Sequence, residues 1–287
     1  MQWNAIIPDT RALDAGAVRA LIDDYPAGEL QIIDVRQSHA FEEQRLPGAV
    51  NIPLSELLAG AHGLDKDKPT LVYCSIGGRS KAAVRRLLAQ GFGDVCYLKH
   101  GMRGWKGQIA AGDPEVSLQI VPPHAHYRDV LQLAFAVENG MRLLYERFAN
   151  AEKDPLCKSL YLTLAREEGK HGEQLAEKYP QDLGTTAMEQ QNEIILEGGE
   201  PLKEFGKHTY IYLDSRREIL AFSMALEAQA MDLYLRLAER AEERQTRALC
   251  LEMADEEKRH MGYLLSEMDR LVESDVQTTG AIHPGEG

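Results

Sequence analysis

The chain has 287 residues, enough for two domains with a full core each, and a composition (44% hydrophobic, 27% charged) that is ordinary for a globular protein. It has no apolar run long enough to span a bilayer, and Met1-Gln2-Trp3 begins no secretion signal, so a membrane protein is excluded and a cytoplasmic one expected. The formal charge of −13 is unevenly shared, with 13 Lys/Arg against 12 Asp/Glu in residues 1–112 and 19 against 33 in the remainder; so acidic a second half excludes nucleic acid as a partner.

Residues 1–112 alternate short apolar strands with helices, the pattern of a parallel α/β sheet. Strands are expected at Gln31–Val35, Thr70–Tyr73 and Val95–Leu98, and a helix at Lys81–Gln90, stopped by Gly91. Cys74-Ser75-Ile76-Gly77-Gly78-Arg79-Ser80 joins the second strand to that helix. A cysteine at such a junction meets converging backbone N–H groups and the positive end of the helix, and both favour thiolate. Gly77 and Gly78 let the backbone curl into an anion nest, and Arg79 adds a donor fork for an anionic substrate. The four cysteines (Cys74, Cys96, Cys157, Cys250) form no C-x-x-C pair, so neither a disulfide framework nor a four-cysteine iron site is available.

These residues resemble the rhodanese family over nearly all of 1–112. Asp34-Val35-Arg36, Leu46-Pro47-Gly48-Ala49-Val50-Asn51-Ile52-Pro53 and Gly101-Met102-Arg103-Gly104-Trp105 match its other signatures in order, and the Cys74-to-Arg79 spacing is the rhodanese one, a residue shorter than in related phosphatases. The resemblance implies that Cys74 accepts sulfane sulfur as a persulfide and passes it to a thiophilic acceptor, with Arg79 stabilising the anion. Ser75, Ile76, Gly77, Gly78 and Ser80 would form the substrate loop, and thiosulfate or persulfides would be the small-molecule partners.

Residues 113–126 read as a linker, with Pro122-Pro123 favouring an extended, stiff spacer. His124 and His126 make a His-x-His pair that is better read as solvated linker than as a metal site.

Residues 127–275 read as four helices. In the first, Leu131, Ala134, Phe135, Glu138, Met141, Tyr145 and Phe148 recur at helical spacing. In the second, capped by Asp154 with Pro155 at its first position, Cys157, Leu160, Leu164, Glu168, His171 and Leu175 share a face. Ser215 and Glu218 form a capping box that opens the third, whose stripe holds Leu220, Ser223, Glu227, Met231, Tyr234 and Leu237. The fourth aligns Leu249, Met253, Glu257, His260, Leu264 and Met268. Shifting Leu133–Leu175 by 89 positions lays it on Phe222–Leu264 without a gap, so Glu138, Glu168 and His171 fall on Glu227, Glu257 and His260. Two helices giving one Glu each and two giving Glu-x-x-His is the ligand recipe of a carboxylate-bridged dimetal centre in a four-helix bundle. Burying four bare carboxylates costs several kcal/mol apiece, which two divalent cations would cancel. Tyr145 and Tyr234 lie on the same faces as Glu138 and Glu227, either as hydrogen-bonding neighbours of the ligands or as core aromatics.

The connection between Pro180 and Asp214 is long enough for the crossover of a ferritin-like bundle, with a helical piece expected at Met188–Leu196. Residues 276–287 read as a disordered tail. This half resembles the rubrerythrin branch of the ferritin-like superfamily. The resemblance implies two iron ions held by Glu138, Glu168, His171, Glu227, Glu257 and His260, with Glu168 and Glu257 bridging; manganese or zinc are the alternatives for such ligands. It further implies redox chemistry with O2 or peroxide, fed by an electron donor the sequence does not name, and a homodimer. A competing reading leaves the first domain as sole enzyme or sulfur sensor, with the bundle as a metal-holding or dimerising scaffold.

Overall fold

The computed structural model describes residues 10–60, 63–121, 124–183, 213 and 215–280. The chain divides into two compact units, residues 1–116 with 231–236, and residues 117–230 with 237–287.

The first unit is built on a five-stranded, wholly parallel sheet of β1 (Arg11–Leu13), β2 (Gln31–Asp34), β3 (Val50–Asn51), β4 (Thr70–Tyr73) and β5 (Val95–Leu98), in the order β1-β5-β4-β2-β3. Helices α1 (Ala15–Asp24), α2 (Ser38–Glu43), α3 (Leu54–Ala59) and α4 (Gly78–Ala89) connect the strands, and α5 (Gly101–Gly104) follows β5. Because side chains alternate along a strand, the sheet feeds two cores. Ile33, Val35, Val72 and Cys74 pack with Ala83, Val84 and Leu87 of α4, whereas Ile32, Leu71 and Tyr73 pack with Val18 of α1 and Phe41 of α2.

The three strands anticipated from sequence all form, while β1 and β3 went unread. At three and two residues they are too short to display an alternation.

A buried ion pair pins the C-terminal end of β2. The Asp34 carboxylate accepts from Arg36 Nε at 2.8 Å and Nη2 at 2.6 Å, and from the Arg36 backbone N–H at 2.8 Å. Asn51 Nδ2 donates to the carbonyls of Asp34 and Arg36, and the Val35 N–H donates to the Tyr73 carbonyl, which ties this corner to β3 and β4.

Pro122 and Pro123, where the extended spacer is expected, lie outside the described residues, and the stretch ahead of them is helical. Pro114 opens a short helix, α6 (Pro114–Ser117), followed by a 3-10 turn at Leu118–Ile120, and Leu118 and Val121 are buried. Proline is well suited to a first helical turn, where its missing N–H costs nothing. His124 and His126 are exposed, as expected, and His126 also caps the helix that follows.

Four long helices follow: α7 (Tyr127–Ala151), α8 (Pro155–Lys178), α9 (Arg216–Arg240) and α10 (Arg244–Gly280). The anticipated caps fix the starts of α8 and α9. Asp154 Oδ1 accepts from Leu156 N and Cys157 N at 2.9 and 2.8 Å, and Ser215 Oγ accepts from Glu218 N at 3.2 Å. The last helix corrects the expected tail, since residues 276–280 are helical. Residues 263–279 contain neither Gly nor Pro, so nothing stops the helix before Gly280. The helical piece expected at 188–196, and residues 281–287, lie outside the described residues.

Candidate functional sites

Cys74 directly follows β4 at the carboxyl end of the sheet, where ligands of open α/β sheets bind. Its side chain continues the buried Val72 face and is fully covered. The Gly77 N–H donates to Sγ at 3.1 Å, and Ser80 Oγ lies 3.5 Å away. Burial alone would push the thiol pKa up. Hydrogen bonds from the Ser80 side chain and from the backbone of Ser80, Ile76 and Gly77 outweigh it, and hold Cys74 below its ordinary value. Arg79 Nη2 donates to Ser75 Oγ at 2.9 Å, so the guanidinium is tied across the loop whose tip, Ile76, is 61% exposed.

The loop is braced from below by α5. Met102 N donates to the Cys74 carbonyl at 2.8 Å and Arg103 N to the Ser75 carbonyl at 3.0 Å. That approach requires glycine at position 101, where φ is +57° and a Cβ would meet the Cys74 carbonyl oxygen at 2.2 Å. Gly77 is equally constrained, with φ +94° and a Cβ that would fall 2.0 Å from the Lys99 carbonyl. The sequence reading gave Gly77 and Gly78 the same role, and here it needs revision. Gly78 is the first residue of α4, has no positive φ, and a Cβ there meets nothing within 4 Å. Gly78→Ala is therefore expected to leave stability within about 1 kcal/mol of the parent, whereas Gly77→Ala should cost about 2 kcal/mol or more. Paired urea denaturation curves check this difference.

In the second unit all six expected ligand residues converge. Glu138, Glu168, Glu227 and Glu257 are buried, between 2% and 6% exposed. His171 Nδ1 lies 3.5 Å from Glu138 and 3.4 Å from Glu168; His260 Nδ1 lies 3.3 Å from Glu227 and 3.1 Å from Glu257. The 89-residue repeat thus reappears as two matching half-sites. They meet where the imidazoles stack, with centroids 3.7 Å apart and planes within 8°. Glu167 and Glu256, which repeat in sequence but fall off the stripe, turn outward and pair with Lys170 and Arg259. Tyr145 and Tyr234 are buried rings at equivalent positions, the former with its ring centroid 6.4 Å from that of Tyr161.

A family profile for the rhodanese-like domain matches residues 14–108, and one for rubrerythrin matches residues 218–281. The chain joins a rhodanese-like domain to a rubrerythrin domain. Over the rhodanese-like part it is 38% identical across 79 residues to the putative sulfur carrier protein YrkF of Bacillus subtilis, a match that takes in 28% of this chain and 43% of YrkF. It is 37% identical across 91 residues to the uncharacterized protein YqhL of the same organism, covering 31% of this chain and 72% of YqhL. The thiosulfate sulfurtransferase GlpE of Coxiella burnetii is 33% identical across 85 residues, 30% of this chain and 79% of GlpE. The chain thus spans less than half the length of YrkF and most of the other two.

The rubrerythrin match takes in Glu227, Glu257 and His260. Glu138, Glu168 and His171 lie outside it and join the site through the internal repeat. The chemistry of the donors fits a metal pair. Ligand atoms of Glu168, His171 and His260, and of Glu227, Glu257 and His260, lie within 4.8 Å of one another. The buried His171 Nδ1 faces two carboxylates yet makes no hydrogen bond. Charge strain in the cluster points the same way. Burial, then repulsion from Glu257 and Glu168, lifts the Glu138 pKa to about 8 against the opposing pull of His171, and burial with Glu168 and Glu257 lifts Glu227 well above the carboxylate range. Both histidines rise to about 9, because the carboxylates overcome the opposing effect of burial. Glu257 alone is lowered; burial opposes this but His260 prevails. Without metal, the interior is kept tolerable by protons.

What the sequence did not disclose is a cavity opening onto this cluster, rimmed by Gln174, Lys178 and Glu252. Lys178 follows His171 by seven residues, two helical turns, and so shares its face. Its partner Glu252 sits on another helix, a pairing that helical spacing cannot announce.

Proposed function

We propose that the rhodanese-like unit is a sulfurtransferase working through a persulfide on Cys74, and that the bundle is a di-iron redox domain acting on O2 or peroxide. The observation that carries the first half is the Cys74 sulfur set beside the Ser80 hydroxyl and the Gly77 N–H of its own loop, which hold its pKa below the ordinary value against burial. In this reading the thiolate attacks the outer sulfur of a thiosulfate-type donor. The donor's S–S bond breaks, sulfite departs with the electron pair, and a new S–S bond forms on Cys74. An acceptor thiolate, or cyanide, then takes the terminal sulfur and returns Cys74 as thiolate. The loop N–H groups that stabilise the thiolate also stabilise the persulfide anion, and Arg79 holds the loop closed through Ser75 while offering charge to the incoming anion.

The relatives support this assignment, GlpE by its description as a thiosulfate sulfurtransferase. Incubation with thiosulfate should raise the protein mass by one sulfur atom, and Cys74→Ala should abolish both this gain and thiocyanate production. Unchanged turnover in Cys74→Ala would remove Cys74 from the reaction.

In the bundle, Glu138, Glu168, His171, Glu227, Glu257 and His260 would hold the two irons. The pair, when bound, supplies electrons to O2 or peroxide. The protein's share is to orient the ligands and to exclude bulk water from all but the histidine side, where the cavity opens. Metal analysis of the purified protein should find about two irons per chain, and Glu227→Ala should lose most of the metal. A stable protein that takes up none would favour a scaffolding role for the bundle.

A further inference from the structure

The cavity beside the dimetal cluster has a volume of about 100 Å³. It is lined by Glu138, His171 and His260, with Leu175 and Met253 beside them. A single water needs about 10–15 Å³ of such space, and O2 or peroxide little more. The cavity is therefore several times roomier than either oxidant requires, and has space for a small polyatomic anion.

The rim is charged in a particular way. Lys178 Nζ lies 2.5 Å from Glu252 Oε1, and the Tyr179 hydroxyl donates to both Glu252 oxygens at 3.3 Å. The other rim acid, Glu256, is engaged by Arg259. Lys178 is therefore the cation facing this space, and its present partner is replaceable. The Lys178 side chain is 55% exposed, and ion pairs so open to water contribute little. If an anion took Lys178, the Glu252 carboxylate would keep its hydrogen bonds from Tyr179. Met253 and Leu175 offer the other wall a polarisable, apolar surface of the kind that suits a soft atom.

We propose that this cavity binds a small anionic sulfur compound, with Lys178 as its charged contact, Glu252 as the counter-ion it displaces, and its sulfur directed at the His171–His260 side of the metal site. The assignment rests on the reading of the bundle as a dimetal centre and of the chain as handling sulfane sulfur. Lys178 and Glu252 set which molecules enter; they are not ligands of the metals.

The experiment uses the full chain carrying Cys74→Ala, loaded with cobalt(II), whose visible bands report on the metal site alone and which thiosulfate does not reduce. Cobalt stoichiometry is measured first. Thiosulfate is then titrated in, with sulfate as an anion of similar shape lacking the sulfane sulfur. The expected result is a saturable spectral change with thiosulfate, at least tenfold weaker in Lys178→Met and several-fold tighter in Glu252→Gln, with sulfate binding much more weakly. A loaded protein whose bands ignore thiosulfate, an affinity unmoved by both substitutions, or sulfate binding equal to thiosulfate overturns the cavity proposal and leaves the dimetal reading intact. A protein that takes up no cobalt pair sinks both.

Discussion

Adding iron(II) to the metal-free protein near neutral pH is expected to release up to three protons per chain from His171, His260 and Glu138. The histidines titrate at about 9 and Glu138 at about 8, so all three hold protons that the metals must displace. Calorimetry in two buffers of different ionisation enthalpy counts them. If even two are displaced, apparent affinity for the metal pair falls about a hundredfold per unit drop in pH. The same shifts set the sign of the stability profile. Glu138 has a folded pKa raised from 4.5 to about 8 and the histidines from 6.5 to about 9, so the folded metal-free state binds more protons than the unfolded one throughout that window. Their contribution to stability is complete below the unfolded values and is lost as pH rises through the folded ones. The Tm of the metal-free protein should therefore fall as pH is raised from about 6 to about 9. With metals bound these groups carry no protons, and stability should instead rise with pH until the histidines of the unfolded chain deprotonate, at 6.5. A metal-free Tm that climbs through the alkaline range would show that the four acids do not share a buried site.

Asp34→Ala is expected to cost about 3–5 kcal/mol, because it strands the Arg36 guanidinium in an interior where that residue is only 3% exposed. The Arg36 Nη2 bond to the Gln44 carbonyl would remain, but a neutral acceptor does not balance a buried charge. Replacing both partners, as in Asp34→Leu with Arg36→Met, should recover much of the loss, since a well-packed apolar pair is often no worse than the ion pair it replaces. Urea denaturation of the three variants measures the difference. The effect on sulfur transfer should follow the folded fraction, because the hydrogen bonds described for the Asp34 carboxylate go to Arg36 and not to the Cys74 loop. A single variant as stable as the parent would mean that the corner of β2, β3 and β4 is held by its backbone hydrogen bonds alone.

How much of this was legible in the sequence depended on whether a feature is local or repeated. β4 and α4 carry strong apolar patterns, so the junction that presents Cys74 could be read directly, down to the donors that converge on it. The separate demands on Gly77 and Gly78 could not, because they depend on the Lys99 carbonyl, about twenty residues away in sequence. In the bundle the 89-residue repeat did what no single motif could. It placed six candidate ligand residues on four apolar stripes, and all four carboxylates are buried there. The short helix ahead of the linker was not legible, because a single turn begun by Pro114 is too short to show a helical period. The tail misled because its composition is polar, although a solvated helix needs only the absence of a breaker to continue as far as Gly280.

The complete covering of Cys74 by its own loop carries a chemical consequence. A sulfur atom with no exposed surface cannot reach the thiol of another large molecule without the loop first opening, so accidental cross-links between copies through this residue are sterically denied. The remaining three cysteines are buried as well. The folded protein should accordingly run as a single uncrosslinked band after storage in air, while reagents small enough to enter when the loop opens still modify Cys74.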